Sequence, residues 1–138
     1  MAAKVIHSSG KRKEAIARTT ISPGSGLIRV NSMLLDSFTS KTVVGKIRQP
    51  LVIASDYVDL SKVDIDSSVR GGGVIGQADA IASSIARGLV EFTGNDGLHE
   101  AYVKYDRTLI AGDHRQTEVH KPGQSSKGPR HKRQKSYR

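Results

Sequence analysis

The chain has 138 residues, a formal net charge of +9 and 36% hydrophobic residues, a size that suits one core and a surplus that suits a polyanionic partner such as nucleic acid. It contains no cysteine, which excludes disulfides, thiolate metal sites and cysteine nucleophiles. No apolar run approaches the roughly 20 residues that span a bilayer, and Met1 to His7 lack the apolar segment of a secretory signal, so a cytoplasmic protein without a membrane partner is expected. Residues 14–22 carry β-branched side chains and read as a half-buried strand. Pro23-Gly24-Ser25-Gly26 reads as a turn, with Leu27 to Val30 returning as the second strand of a hairpin. Asn31-Ser32 makes a further tight turn into Met33-Leu34-Leu35, so residues 4–35 read as an antiparallel meander.

From Ser40 the spacing of Val43, Val44 and Ile47 is helical. Pro50 lacks an N–H and is expected to interrupt or restart that helix, with Leu51 to Tyr57 as a short second piece. Residues 62–70 alternate apolar and polar and read as a strand. Gly71-Gly72-Gly73 breaks it, and Gly76-Gln77 opens a helix with Ile81, Ile85, Leu89 and Phe92 in one stripe and Gly94 as its stop. Another helix is expected over Leu98 to Asp106. Beyond Gly112 no apolar period survives, so the chain divides into a compact α/β body, 1–111, and an extended basic tail, 112–138. The tail carries eight basic and two acidic side chains, a surplus of six, whereas the other 111 residues have a surplus of three.

Gly71, Gly73 and Gly76 satisfy G-x-G-x-x-G between a strand and a helix, and Glu91 follows at the distance of a ribose-binding acid. That acid lies inside the helix instead of ending a second strand, and the chain is too short for two mononucleotide-binding halves. The plain reading is a tight strand-to-helix turn whose backbone could also meet RNA phosphate. No Gly-Lys-Ser/Thr follows, so a P-loop is absent. His7, His99, His114, His120 and His131 include no i,i+4 pair, and no nucleophile–base arrangement stands out. No catalytic residue, metal site, cofactor or small-molecule substrate is therefore expected. The basic clusters carry more. Lys11-Arg12-Lys13 is expected in a loop before a strand, and Arg130-His131-Lys132-Arg133, Lys135 and Arg138 crowd the end. Such runs are often solvated faces, but two clusters and an unfoldable tail together suit phosphate contacts.

Gly71 to Ile81 with Arg87-Gly88-Leu89 resembles the signature of the small-subunit ribosomal protein S9 family. Gly10 to Arg18 resembles its basic loop and first strand, Pro23 to Asn31 its hairpin, and Arg48-Gln49-Pro50-Leu51 its central helix. Tyr105 to Leu109 and Gln134 to Arg138 are similar to the archaeal and eukaryotic branch, with the length favouring an archaeal type. The resemblance implies a single α/β domain: a four-stranded sheet, helices on one side and a left-handed β-α-β crossover, as in the second domain of ribosomal protein S5. It implies a structural, non-enzymatic constituent of the small-subunit head, with ribosomal RNA, peptidyl-site tRNA and neighbouring head proteins as partners. Carried onto this chain, the RNA-binding residues would be Lys11, Arg12, Lys13, Arg18, Arg48, Arg70, Gly71, Gly72, Gly73, Gln77, Arg115, Lys121, Lys127, Arg130, Lys132 and Arg133. Lys135, Tyr137 and Arg138 would reach tRNA, Tyr137 standing where bacterial members have a lysine. A free-standing RNA- or DNA-binding module is the rival reading, separable by whether the protein stays on subunits through a high-salt wash. Aromatic residues make up only 4% of the chain, which argues against base stacking as the main source of binding.

Overall fold

The computed structural model describes residues 4–117, 119–121 and 126–127. In chain order the elements are β1 (Ile6–Arg12), β2 (Ala15–Pro23), β3 (Ile28–Val30), β4 (Met33–Leu34), α1 (Leu35–Phe38) and α2 (Lys41–Ala54). A 3-10 turn (Leu60–Lys62) leads into β5 (Val63–Arg70), followed by α3 (Val74–Thr93), α4 (Asp96–Tyr105) and α5 (Thr108–Ala111). The sheet runs β1-β2-β5-β3-β4, with β3 parallel to β5 and the other pairs antiparallel.

Period-2 alternation assigns the two faces of this sheet. Ala15, Ala17, Thr19 and Ile21 of β2, and Val63, Ile65, Ser67 and Val69 of β5, are buried, while the residues between them are not. α3 lies on the covered face and buries Ala78, Ala80, Ile81, Ala82, Ile85, Ala86 and Leu89. Alanines on both partners let backbone approach backbone. The approach is closest at Gly10, where a Cβ would stand 2.2 Å from the Ala80 carbonyl oxygen. α3 ends at Gly94 with φ of 63°, the left-handed stop read from the sequence. Thr19 and Ser67 face each other inside the core. Thr19 Oγ1 lies 2.8 Å from Ser67 Oγ and 2.6 Å from Ser84 Oγ, and Ser84 Oγ donates to the Ile81 carbonyl, so this polar island is fully satisfied.

Four expectations need correction. The sheet has five strands, because Asn31 and Ser32 take positive φ (49° and 66°) and fold Met33–Leu34 back onto β3 as a short edge strand. β3 does not return against β2; β5 lies between them. The Gly24 N–H bonds the Lys62 carbonyl, and the Asp64 carboxylate accepts from the Ser25 and Leu27 N–H groups at 2.7 and 2.9 Å. Pro23 to Gly26 is thus fastened to the start of β5, and the most regularly alternating strand takes a central place with both edges paired. The cluster Lys11-Arg12-Lys13 is no loop: Lys11 and Arg12 belong to β1, and only Lys13 and Glu14 turn. The low strand propensity of Ser8-Ser9-Gly10 is overridden because β1 must pass directly over α3. Finally, α2 runs through Pro50 without a break. Pro50, in the C-terminal half of α2, forgoes one backbone bond and is itself buried, with its carbonyl accepting from Tyr102 Oη at 2.8 Å.

Candidate nucleic-acid interface

The uncovered face of the sheet gathers cations from distant parts of the chain. The register places Lys11, Ile16 and Arg70 in one cross-strand row and Ser9, Arg18 and Ser68 in the next. Neighbours in such rows stand about 5 Å apart at Cβ, so three of the expected RNA-binding residues form a single exposed patch. Glu14, Ile16, Arg18, Ser68, Arg70 and Gly71 line a groove of about 420 Å³ there. Among the described residues Lys11, Arg18 and Arg70 enter no ion pair, so their charge is available to a partner. Asp64 and Asp66 occupy the opposite end of the face beside Arg29. Asp64 is held below the usual carboxylate range by the N–H groups of Leu27 and Ser25, and it serves the fold.

A second groove, of about 770 Å³, lies at the end of the sheet between the β1–β2 turn and the start of α3. Arg12, Lys13, Glu14, Gly72 to Gly76, Asp79, Gln116 and Thr117 line it. Gly71 and Gly72 have φ of 79° and 65°, and a Cβ on them would stand 2.5 Å from the Glu14 carbonyl oxygen and 2.9 Å from the Ala15 nitrogen. The turn requires glycine at 71 and 72 in order to pass the β1–β2 connection, so the first glycine of the G-x-G-x-x-G pattern has a structural reason that involves no dinucleotide. Gln77 Nε2 donates to the Gly71 carbonyl at 3.0 Å and steadies the turn, and Gly73 caps α3 with no side-chain bond.

The remaining expected residues are dispersed. Arg12 points to the helix side, opposite Lys11, and pairs with Asp113. Arg48, on α2, is engaged by Asp36, and Arg115 by Asp113. Lys121 and Lys127 are among the described residues. Arg130, Lys132, Arg133, Lys135, Tyr137 and Arg138 lie outside the described residues. Sequence reasoning gave no role to Arg87, whose Nε donates to the Ile110 carbonyl at 2.7 Å and whose Nη1 donates to the Ser9 carbonyl at 3.0 Å. An arginine between Ala86 and Leu89, inside an otherwise buried helix, was the available signal.

Residues 10–138 match the family model described as Ribosomal protein S9/S16. The chain belongs to this family. It is similar to the small ribosomal subunit protein uS9 of Methanococcus maripaludis, 48% identical over 135 residues that cover 98% of this chain and 99% of the relative. The uS9 proteins of Methanothrix thermoacetophila and Methanococcus vannielii match over the same shares at 48% and 46% identity. These archaeal relatives agree with the branch suggested by the tail motifs. As a member of the ribosomal S9 family the protein is a structural component of the small subunit and not an enzyme. No described helix is long and apolar enough to cross a membrane.

Proposed function

We propose that the body binds small-subunit ribosomal RNA in the head of a cytoplasmic ribosome and that the tail, 112–138, reaches towards peptidyl-site tRNA. The observation that carries the first half is the patch of Lys11, Arg18 and Arg70, three cations from three strands on one exposed face that enter no ion pair among the described residues. Lys13 and the glycine turn, Gly71 to Gly73 with Gln77, extend this surface around the end of the sheet. Each cation neutralises a phosphate and releases counterions, so affinity comes from charge and position instead of base reading. In the same reading β3, α2 and β5 form the family's left-handed crossover within the S5-like fold.

The second half rests on family membership and on the tail's surplus of six positive charges. Lys121, Lys127, Arg130, Lys132 and Arg133 hold the tail along RNA, and Lys135, Tyr137 and Arg138 meet the tRNA. Truncation after Gln134 tests this on assembled small subunits. A loss of about 1–3 kcal/mol in peptidyl-site tRNA affinity, the range for bonds to charged groups, is expected. Unchanged affinity on intact subunits would remove the tRNA role and leave RNA binding by the body.

A further inference from the structure

The root of the tail is held against β1 and α3 by a connected set of contacts. Gly112 has φ of 79°, and a Cβ there would come 3.1 Å from Arg87 Nη2, so the chain turns at this residue beside the Arg87 side chain. Arg87 bonds the Ile110 carbonyl just before that turn and the Ser9 carbonyl of β1, joining α3, the tail root and the sheet edge through one side chain. Asp113 then forms a parallel bridge with Arg12. Their side chains pair at 3.3 Å and are only 16% and 13% exposed, against 80% and 55% for the surface pair Lys62–Asp59. Arg12 Nη1 also donates to the Arg115 carbonyl at 2.8 Å. Arg115 closes the set by gripping the Asp113 carboxylate through Nε and Nη2, and its own N–H bonds the same group.

We infer that Arg12, Arg87 and Asp113 form a clasp that sets the direction in which the tail leaves the body, so Arg12 is a positioning residue for the tail and not an RNA ligand. The clasp stands on the free edge of β1. The next residues, Gln116 and Thr117, are led across the groove at the start of α3, away from the face that carries Lys11. A segment with so few apolar residues to anchor it needs such a fastening if its far end is to reach one place, because every loose residue near the root widens the volume the tip explores. Each Nη of Arg12 is already engaged, Nη2 by the Asp113 carboxylate and Nη1 by the Arg115 carbonyl, so its charge and its orientation are committed to the tail root.

The test has two arms, and only the second depends on the tRNA reading. The chain has no cysteine, so spin labels at Ser55→Cys, on the exposed end of α2, and Thr117→Cys report one distance in the full-length protein. A narrow distribution is expected, broadened about twofold or more by Arg12→Ala and by the milder Asp113→Asn. Asp113 lies beyond the last helix, so its variant does not endanger the core. A broad distribution without substitution, or an unchanged width in Asp113→Asn, overturns the clasp. On small subunits, Arg12→Ala and Asp113→Ala should each weaken peptidyl-site tRNA by about threefold to tenfold, with the double variant no weaker than the stronger single, since the two residues act as one unit. Additive losses would return Arg12 to RNA phosphate and overturn its assignment. If truncation after Gln134 and all these variants leave tRNA affinity untouched, the tRNA reading fails, and the label distances alone decide the clasp.

Discussion

Lys11 and Arg12 are neighbours in the chain with the same charge, yet they belong to different devices. Lys11 stands with Arg18 and Arg70 on the open face of the sheet, with no ion pair among the described residues. Arg12 faces the helices and is engaged by Asp113 and the Arg115 carbonyl. The physical cause is the period of a strand, which sends successive side chains to opposite faces. A basic run in a strand therefore divides its charge between a surface that meets partners and a layer that organises the protein. Net charge counts both alike, but only the unengaged set can release counterions from RNA.

The comparison breaks most visibly if the open face is stripped of charge. Replacing Lys11, Arg18 and Arg70 together by Ala is expected to weaken binding to a small-subunit ribosomal RNA transcript by about 100-fold or more. The slope of log affinity against log salt should fall by about 2–3 as three phosphate contacts disappear. Because the three side chains are exposed and enter no ion pair among the described residues, urea midpoints should move by less than about 0.5 kcal/mol in stability. A loss of stability equal to the loss of binding would show that these cations serve the fold instead.

The next largest effect comes from the strand that both devices share. Gly10→Ala puts a methyl group against the Ala80 carbonyl oxygen and the Ser84 nitrogen, at 2.2 and 2.8 Å before relaxation. Overpacking against backbone is expected to cost about 1–3 kcal/mol in urea unfolding, since neither strand nor helix can yield without losing its own bonds. A smaller effect tests the opposite side of the molecule. Tyr102 is buried, and burial pushes its hydroxyl above the usual phenol range, so it remains a donor to the Pro50 carbonyl. Tyr102→Phe should cost about 0.5–1.5 kcal/mol in stability and leave RNA affinity and the tail-root distance unchanged.

Much of this layout was legible in the chain. The alternation of residues 62–70, the stripe Ile81, Ile85 and Leu89 and the stop at Gly94 are local patterns, and local physics decides them. The archaeal-type family resemblance was carried by contiguous motifs and holds over residues 10–138. What could not be read depends on which elements meet. The placement of β5 between β2 and β3 is settled by Asp64, which fastens Ser25 and Leu27 from about 40 positions away in the chain. The β1 strand was hidden because Ser8, Ser9 and Gly10 look like a loop until Ala80 is laid against them. The joint role of Arg87 and Asp113 needs α3, β1 and the tail root in one place, and no spacing in the sequence encodes that meeting.

Acid should separate the clasp from the open face, through the smallest of these effects. Asp113 lies well below the usual carboxylate range, first because Arg115 bonds its side chain and then because the Arg115 N–H does, with the charges of Arg115 and Arg12 adding to both. A carboxylate depressed in the folded protein binds its proton more weakly there than in the unfolded chain. Its stabilisation is thus fully present above the unfolded value of about 3.9 and disappears as pH falls through the lower folded value. Asp64 and Asp59 are depressed as well, by backbone donors and by Ser61 and Lys62 respectively, so the total acid response of the protein mixes three carboxylates. The difference between the unsubstituted chain and Asp113→Asn isolates one of them. That difference in stability should be level from about pH 5 to 7 and shrink only below about pH 4, while the open face with Lys11, Arg18 and Arg70 takes no part in it. A stability difference that rises on acidification would mean that Asp113 is repelled rather than held at the tail root, and the pairing with Arg12 would lose its claim to set the tail's direction.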